Sequence, residues 1–159
     1  MNKAIFLDRD GVINVERGYT HRLEDFVILP GLMETLQEFI RRGYLLIVVT
    51  NQSGIAKDLY REEDVEMLHA FLKQELAKNN ITLSEIYYCK HHPDVGNCIC
   101  RKPNSLFVEK GLARFNIDPA KSYFIGDKER DVEAGEKAGV KGILIEANSP
   151  LSLLLGQIN

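Results

Sequence analysis

The sequence predicts a parallel α/β fold, a central sheet with helices on both faces, as one domain over residues 1–159. Three observations carry that expectation. Short apolar runs alternate with longer stretches that are apolar at helical spacing, the pattern of crossover connections. The runs at 4–7, 44–49, 86–88, 123–125 and 142–145 are mostly continuous, as strands covered on both faces are. Three of them break abruptly into polar residues, at Asp8, Thr50 and Asp127. In a parallel sheet such ends lie along one edge, where ligands bind.

Taken in order, the first run ends in Asp8-Arg9-Asp10-Gly11, and Gly11 marks a sharp turn. Residues 12–29 are polar and irregular around Gly18-Tyr19-Thr20-His21, and read as a loop leaving the strand edge. Pro30-Gly31 introduces a helix over 32–40, which stops at Gly43. The second run opens into Thr50-Asn51-Gln52-Ser53-Gly54. Glu62-Glu63-Asp64 then start an amphipathic helix to about Lys78, with acids where the helix dipole favours them. After the third run come a cysteine-rich loop, Arg101-Lys102-Pro103 and a helix over 105–115. The fourth run ends in Gly126-Asp127-Lys128, and a helix over 131–138 leads to the fifth. The tail, with Leu151, Leu153, Leu154 and Leu155, is expected to pack on the domain.

At 45% hydrophobic and 27% charged, the chain can build one core and is too short for a two-domain enzyme. Its 20 basic residues stand against 23 acidic ones, a net charge of −3, which leaves no electrostatic footprint for nucleic acid or an anionic membrane. The first strand begins too close to Met1 for a signal peptide, and no apolar run is long enough to span a bilayer. A cytosolic monomer is therefore expected, binding neither nucleic acid nor membrane. Its three cysteines, Cys89, Cys98 and Cys100, are clustered and odd in number, which in a reducing compartment favours a metal site over a disulfide framework.

Asp8 and Asp10, two residues apart, repel unless a cation or proton lies between them. Paired oxygens suit a hard ion such as Mg2+. Asp8 is the candidate nucleophile and Asp10 the candidate acid and base. Acid duty requires a raised pKa at Asp10 while Asp8 stays ionised. Asp127 would complete the cation site; Asp131 either joins it or serves only as a first-turn acid. The Thr50 hydroxyl and the Asn51 amide are candidate donors to phosphoryl oxygens, and Lys102 is placed to bridge Asp8 and the phosphate. Each residue alone has a bland alternative, a strand-end turn or a solvated lysine; their convergence on one edge favours the site.

In the cysteine loop, Cys89-x-His91 and Cys98-x-Cys100 supply three thiolates and one imidazole, the closed tetrahedral set of structural Zn2+. Such a metal would fold a polar loop and hold Arg101 and Lys102 in place. His92 reads either as a substrate contact or as a plain polar residue.

The four motifs Asp8-Arg9-Asp10-Gly11, Thr50-Asn51-Gln52-Ser53-Gly54, Lys102 and Gly126-Asp127 resemble those of the haloacid dehalogenase superfamily of phosphatases. With the zinc loop and Cys100-Arg101-Lys102-Pro103, the resemblance narrows to the group of histidinol phosphatases and heptose-bisphosphate phosphatases. Gly18-Tyr19-x-His21 and Tyr87-Tyr88-Cys89-x-His91-His92-Pro93 lean toward the heptose-bisphosphate branch.

That resemblance implies a capless, three-layer Rossmann-like domain and catalysis by Asp8, Asp10, Thr50 and Lys102. It implies Mg2+ on Asp8, the Asp10 carbonyl and Asp127, and substrate contacts from Glu16, Arg17, Gly18, Tyr19, Asn51, Gln52, Ser53, Arg101 and Lys128. The implied substrate is a small phosphorylated sugar, a heptose 1,7-bisphosphate losing its 7-phosphate in the synthesis of lipopolysaccharide or another surface glycan. Two features depart from that branch, Lys90 in place of proline and a short interval between His91 and Cys98, the latter as in histidinol phosphatases. Histidinol phosphate is therefore the alternative substrate. A non-catalytic, zinc-stabilised binding domain is the alternative of another class.

Overall fold

The computed structural model describes residues 1–159. Five strands, β1 (Lys3–Leu7), β2 (Tyr44–Asn51), β3 (Glu85–Cys89), β4 (Tyr123–Gly126) and β5 (Lys141–Leu144), form one sheet in the order β3-β2-β1-β4-β5. Every pairing is parallel. The crossovers carry α1 (Leu32–Arg41), α2 (Glu62–Ala77), α3 (Leu106–Arg114) and α4 (Glu129–Lys137). The chain winds outward from β1 through β2 to β3, then returns to the other side of β1 for β4 and β5. Strand order thus reverses between β1 and β4, so a crevice opens beyond Leu7 and Gly126, where Asp8 and Asp127 follow.

Strand alternation sends successive side chains to opposite faces, and the core divides accordingly. Ile5 and Leu7 join Leu36 and Phe39 of α1 and Leu68 and Leu72 of α2 on one face. Ala4 and Phe6 join Val108 of α3 and Ala134 of α4 on the other. Both faces are covered, as the near-continuous apolar runs require.

The tail closes over the α1 side. Leu151, Leu154 and Ile158 are buried there, while Leu153 remains exposed. Tyr44 Oη donates to the Asn159 carbonyl at 2.6 Å, tying the end of the chain down.

Two expectations need correction. Residues 12–29 do not simply leave the strand edge: Val12 and Ile13 are fully buried, and Phe26 and Leu29 are nearly so. Backbone bonds from Val15 N to Val27 O and from Leu29 N to Ile13 O close the segment into a flap around a 3-10 turn at Leu23–Asp25. Its apolar residues lie at irregular spacing, which hides the packing from any test of period. The last helix begins at Glu129, not at Asp131. Asp131 is its third residue, and Oδ2 there accepts the Lys128 N–H at 3.0 Å, capping the helix. No helix of the chain is long and apolar enough to cross a membrane.

Candidate active site

A polar cavity of about 390 Å³ sits where β1, β2 and β4 end. Asp8, Asp10, Asn51, Gln52, Ser53, Lys102 and Asp127 line its floor and walls. The flap contributes Glu16, Gly18 and Tyr19, the cysteine loop contributes His92 and Arg101, and the start of α4 contributes Lys128 and Arg130. Residues as distant in the chain as 8, 51, 102 and 127 therefore share one pocket. Arg17 is exposed and is not part of the lining. Thr50 is buried behind the pocket, where its hydroxyl accepts from Gln52 Nε2 at 3.0 Å.

Lys102 is almost sealed from water. Its ammonium donates to Asp8 Oδ1 at 2.9 Å and to the Val49 carbonyl at 2.7 Å. Asp131 Oδ1 lies 2.7 Å from the same nitrogen as an ion-pair partner, off the angle of a hydrogen bond. Burial pulls the lysine pKa down, but Asp8 and Asp131 outweigh it and the net shift is upward. A protonated lysine is thus fixed against Asp8, leaving Oδ2 of that aspartate without a protein hydrogen bond. Asn51 holds the lysine's backbone from both sides. Its Oδ1 accepts the Lys102 N–H at 3.0 Å, and its Nδ2 donates to the Lys102 carbonyl at 3.2 Å.

Asp10 is held differently. Arg9 NH2 donates to its Oδ1 at 2.8 Å, Asn14 Nδ2 to the same oxygen at 2.9 Å, and Gln52 Nε2 to Oδ2 at 3.0 Å. Arg9 is itself fully buried, and it also reaches the Thr20 carbonyl and the His69 ring, so the flap and α2 converge on one guanidinium.

The ionisation pattern reverses the expectation from sequence. Burial, with the nearby charges of Asp131 and Asp10, pushes Asp8 up to about 7 despite Lys102. Burial also acts to raise Asp10, yet the Arg9 charge and the three side-chain donors outweigh it and hold that carboxyl below its usual range. Sequence reasoning left Arg9 without a role; alternation had pointed only to the two acids beside it.

Asp127 has two buried carboxylate oxygens and no hydrogen-bond partner for either. The ammonium of Lys128 stands 3.9 Å from one of them. Asp8, Asp127 and Asp131 each offer an oxygen, all within 4.8 Å of one another. Two orphaned oxygens beside a second buried acid are the donor set of a hard divalent cation. The Asp10 side chain is turned away to Arg9, but its carbonyl accepts no hydrogen bond. Gly11 makes the close approach possible: it has φ +86°, and a Cβ there would lie 2.5 Å from Asp127 Oδ2.

Cys89, His91, Cys98 and Cys100 gather at the rim, with their donor atoms within 4.8 Å of one another. The Cys89 and Cys98 sulfurs are 3.7 Å apart, and His91 Nδ1 lies 3.4 Å from Cys89 Sγ. Zinc–sulfur bonds of about 2.3 Å in a tetrahedron give an edge of about 3.8 Å, which the Cys89–Cys98 pair matches and the Cys89–Cys100 pair, at 3.1 Å, reaches by opening slightly; three thiols and an imidazole are a donor set that suits zinc. Arg101 donates to the His91 carbonyl, linking this cluster to the pocket. Sequence reasoning missed Tyr60 and Arg130 as pocket residues and left His92 open; all three line the cavity.

Comparison with known proteins agrees with the geometry. A HAD-hydrolase-like family model matches residues 99–149. The D-glycero-beta-D-manno-heptose-1,7-bisphosphate 7-phosphatase of Haemophilus influenzae is 39% identical, over 96% of this chain and 86% of its own length. The D-glycero-alpha-D-manno-heptose-1,7-bisphosphate 7-phosphatase of Campylobacter jejuni is 42% identical, over 92% and 83%. Among solved structures, the D,D-heptose 1,7-bisphosphate phosphatase from B. bronchiseptica, complexed with magnesium and phosphate, superposes with a TM-score of 0.84 at 29% identity, covering 98% of this chain and 86% of that one. A pocket of this construction in a chain so similar to these enzymes places the protein in the haloacid dehalogenase superfamily of hydrolases, within the family of heptose-1,7-bisphosphate 7-phosphatases.

Proposed function

We propose that the chain removes the 7-phosphate of D-glycero-D-manno-heptose 1,7-bisphosphate, in the synthesis of heptose for lipopolysaccharide or a related surface glycan. The observation that carries the chemical part of this reading is the pairing of Asp8, held through one oxygen by Lys102, with an Asp127 whose two buried oxygens have no partner.

Asp8 Oδ2 attacks phosphorus in line, the ester oxygen departs with a proton from Asp10, and an aspartyl phosphate forms on Asp8. Asp10 then takes a proton from water, and that water attacks the phosphorus to release phosphate and restore Asp8. An Asp10 held anionic by Arg9 suits the second half. For the first half, an arriving phosphate adds negative charge beside Asp10 and raises its affinity for a proton. Magnesium held by Asp8, Asp127 and the Asp10 carbonyl would neutralise charge on the transferring group and relieve the repulsion around Asp8.

Lys102 orients Asp8, its ammonium held among Asp8, Asp131 and the Val49 carbonyl. Asn51 lines the floor, and Thr50 supports it from behind through Gln52. Glu16, Gly18, Tyr19 and Ser53 take the sugar hydroxyls, and the cations Arg101 and Lys128 at the rim suit the second phosphate. Zinc on Cys89, His91, Cys98 and Cys100 has a structural part, holding Arg101 and His92 at the rim. Steady-state kcat/KM with Mg2+ on heptose 1,7-bisphosphate and on histidinol phosphate tests the reading. A large preference for the heptose is expected; a preference for histidinol phosphate overturns it.

A further inference from the structure

Proton transfer by Asp10 makes no direct use of Tyr60, a buried residue between the strand-end loop and α2. Tyr60 Oη donates to Gln52 Oε1 at 2.7 Å. Gln52, also buried, turns its Nε2 to Asp10 Oδ2 and Thr50 Oγ1, each at 3.0 Å. An amide has distinct ends, and here each end is claimed: the phenol proton fixes the oxygen, and the carboxylate and hydroxyl fix the nitrogen.

The ring of Tyr60 stacks on His21 of the flap, with centroids 5.0 Å apart and planes 12° from parallel. A Cβ at Gly54 would overlap the Tyr60 ring edge, so the glycine of the Ser53-Gly54 turn is what lets the ring lie there. Burial pushes the phenol up to about 12, so it keeps its proton through the neutral range.

We infer that Tyr60 is a positioning residue for catalysis: by fixing the amide of Gln52 it aims Asp10 at the reacting oxygen, and through His21 it ties that aim to the substrate flap. Without the hydroxyl, Gln52 Oε1 becomes a buried acceptor lacking a donor, and the amide turns to satisfy it. Asp10 then loses its only contact on Oδ2 and swings about the anchor that Arg9 and Asn14 provide on Oδ1. Such a displacement weakens proton transfer in the transition state and leaves ground-state binding largely intact.

This inference rests on the acid and base reading of Asp10, and the test separates the two. Wild-type turnover on heptose 1,7-bisphosphate examines the substrate reading; variant-to-wild-type ratios on any phosphomonoester that the wild type hydrolyses examine Tyr60. In Tyr60→Phe, kcat falls about tenfold with KM within about twofold, the loss of one aligned hydrogen bond in the transition state. The double variant Tyr60→Phe/Gln52→Met falls no further than Gln52→Met alone, because the two side chains act as one unit. Additive losses, or a loss confined to KM, overturn the inference. Should Tyr60→Phe not fold, Gly54→Ala, whose Cβ displaces the Tyr60 ring, decides: a kcat loss at preserved KM supports the inference, and an unchanged kcat overturns it.

Discussion

The ammonium of Lys102 lies 2.9 Å from Asp8 Oδ1, and both side chains are nearly sealed from water. Asp131 flanks the same nitrogen at 2.7 Å. One buried cation therefore compensates two buried carboxylates.

Removing that cation leaves both acids uncompensated, and breaking a buried pair in this way costs about 3 kcal/mol or more. Lys102→Met is expected to lower stability by that amount and to abolish turnover. Urea denaturation and phosphate release check the two effects. Asp131→Asn keeps the cation paired with Asp8 and retains the amide oxygen as a helix cap, so its stability loss is expected to be smaller.

Gly11 supplies a second prediction. Gly11→Ala forces a side chain into a φ of +86° and brings a Cβ within 2.5 Å of Asp127 Oδ2. Displacement of Asp127 is expected to raise the Mg2+ concentration for half-maximal activity at least about tenfold, since one ligand of a hard cation is moved. A Mg2+ titration of activity, run beside a circular-dichroism spectrum, measures it.

The cysteine cluster predicts a separation of effects. Cys98→Ser lowers the thermal midpoint by several degrees and leaves the Mg2+ dependence of the residual activity nearly unchanged. Metal analysis of protein purified without chelator is expected to find about one zinc per chain, the number that one closed four-ligand site takes.

His69 predicts a pH dependence of stability. Burial, then the Arg9 charge, holds its ionisation at about 3 in the fold, against 6.5 in a free chain. Above 6.5 the imidazole is neutral in both states and contributes no slope. Below 6.5 the unfolded chain binds a proton that the folded chain refuses, so stability is lost as pH falls from 6.5 toward 3. His69→Gln keeps an acceptor for Arg9 and removes this loss. Between pH 7 and pH 5 the variant is expected to gain about 2 kcal/mol relative to wild type in urea unfolding; parallel curves would refute the assignment.

How much of this was legible in the sequence follows from which physics each feature rests on. The strands and helices were readable because β1 and α1 carry one continuous and one periodic apolar signal, and the shared edge followed from topology alone. Asp8, Asp10, Lys102 and Asp127 were found because each ends a strand or adjoins the metal loop. Arg9, His69 and Tyr60 were not, since their roles depend on side-chain contacts, among them Arg9 to Thr20 and His69, and Tyr60 to Gln52 and His21, that leave no local pattern. The ionisation of Asp8 and Asp10 was reversed for the same reason. Adjacency could show that the acids interact, but only coordinates show that Arg9 turns to Asp10 and that Asp8 is the more deeply desolvated of the two.

Everything proposed for this pocket turns on Asp8 as the nucleophile of phosphoryl transfer. Phosphate release from heptose 1,7-bisphosphate by Asp8→Asn, with folding verified by circular dichroism, tests it most directly. Asp8→Asn is expected to fold and to lose turnover, while wild type, in Mg2+, releases one phosphate and leaves the other on the sugar. Release by Asp8→Asn at the wild-type rate would contradict it.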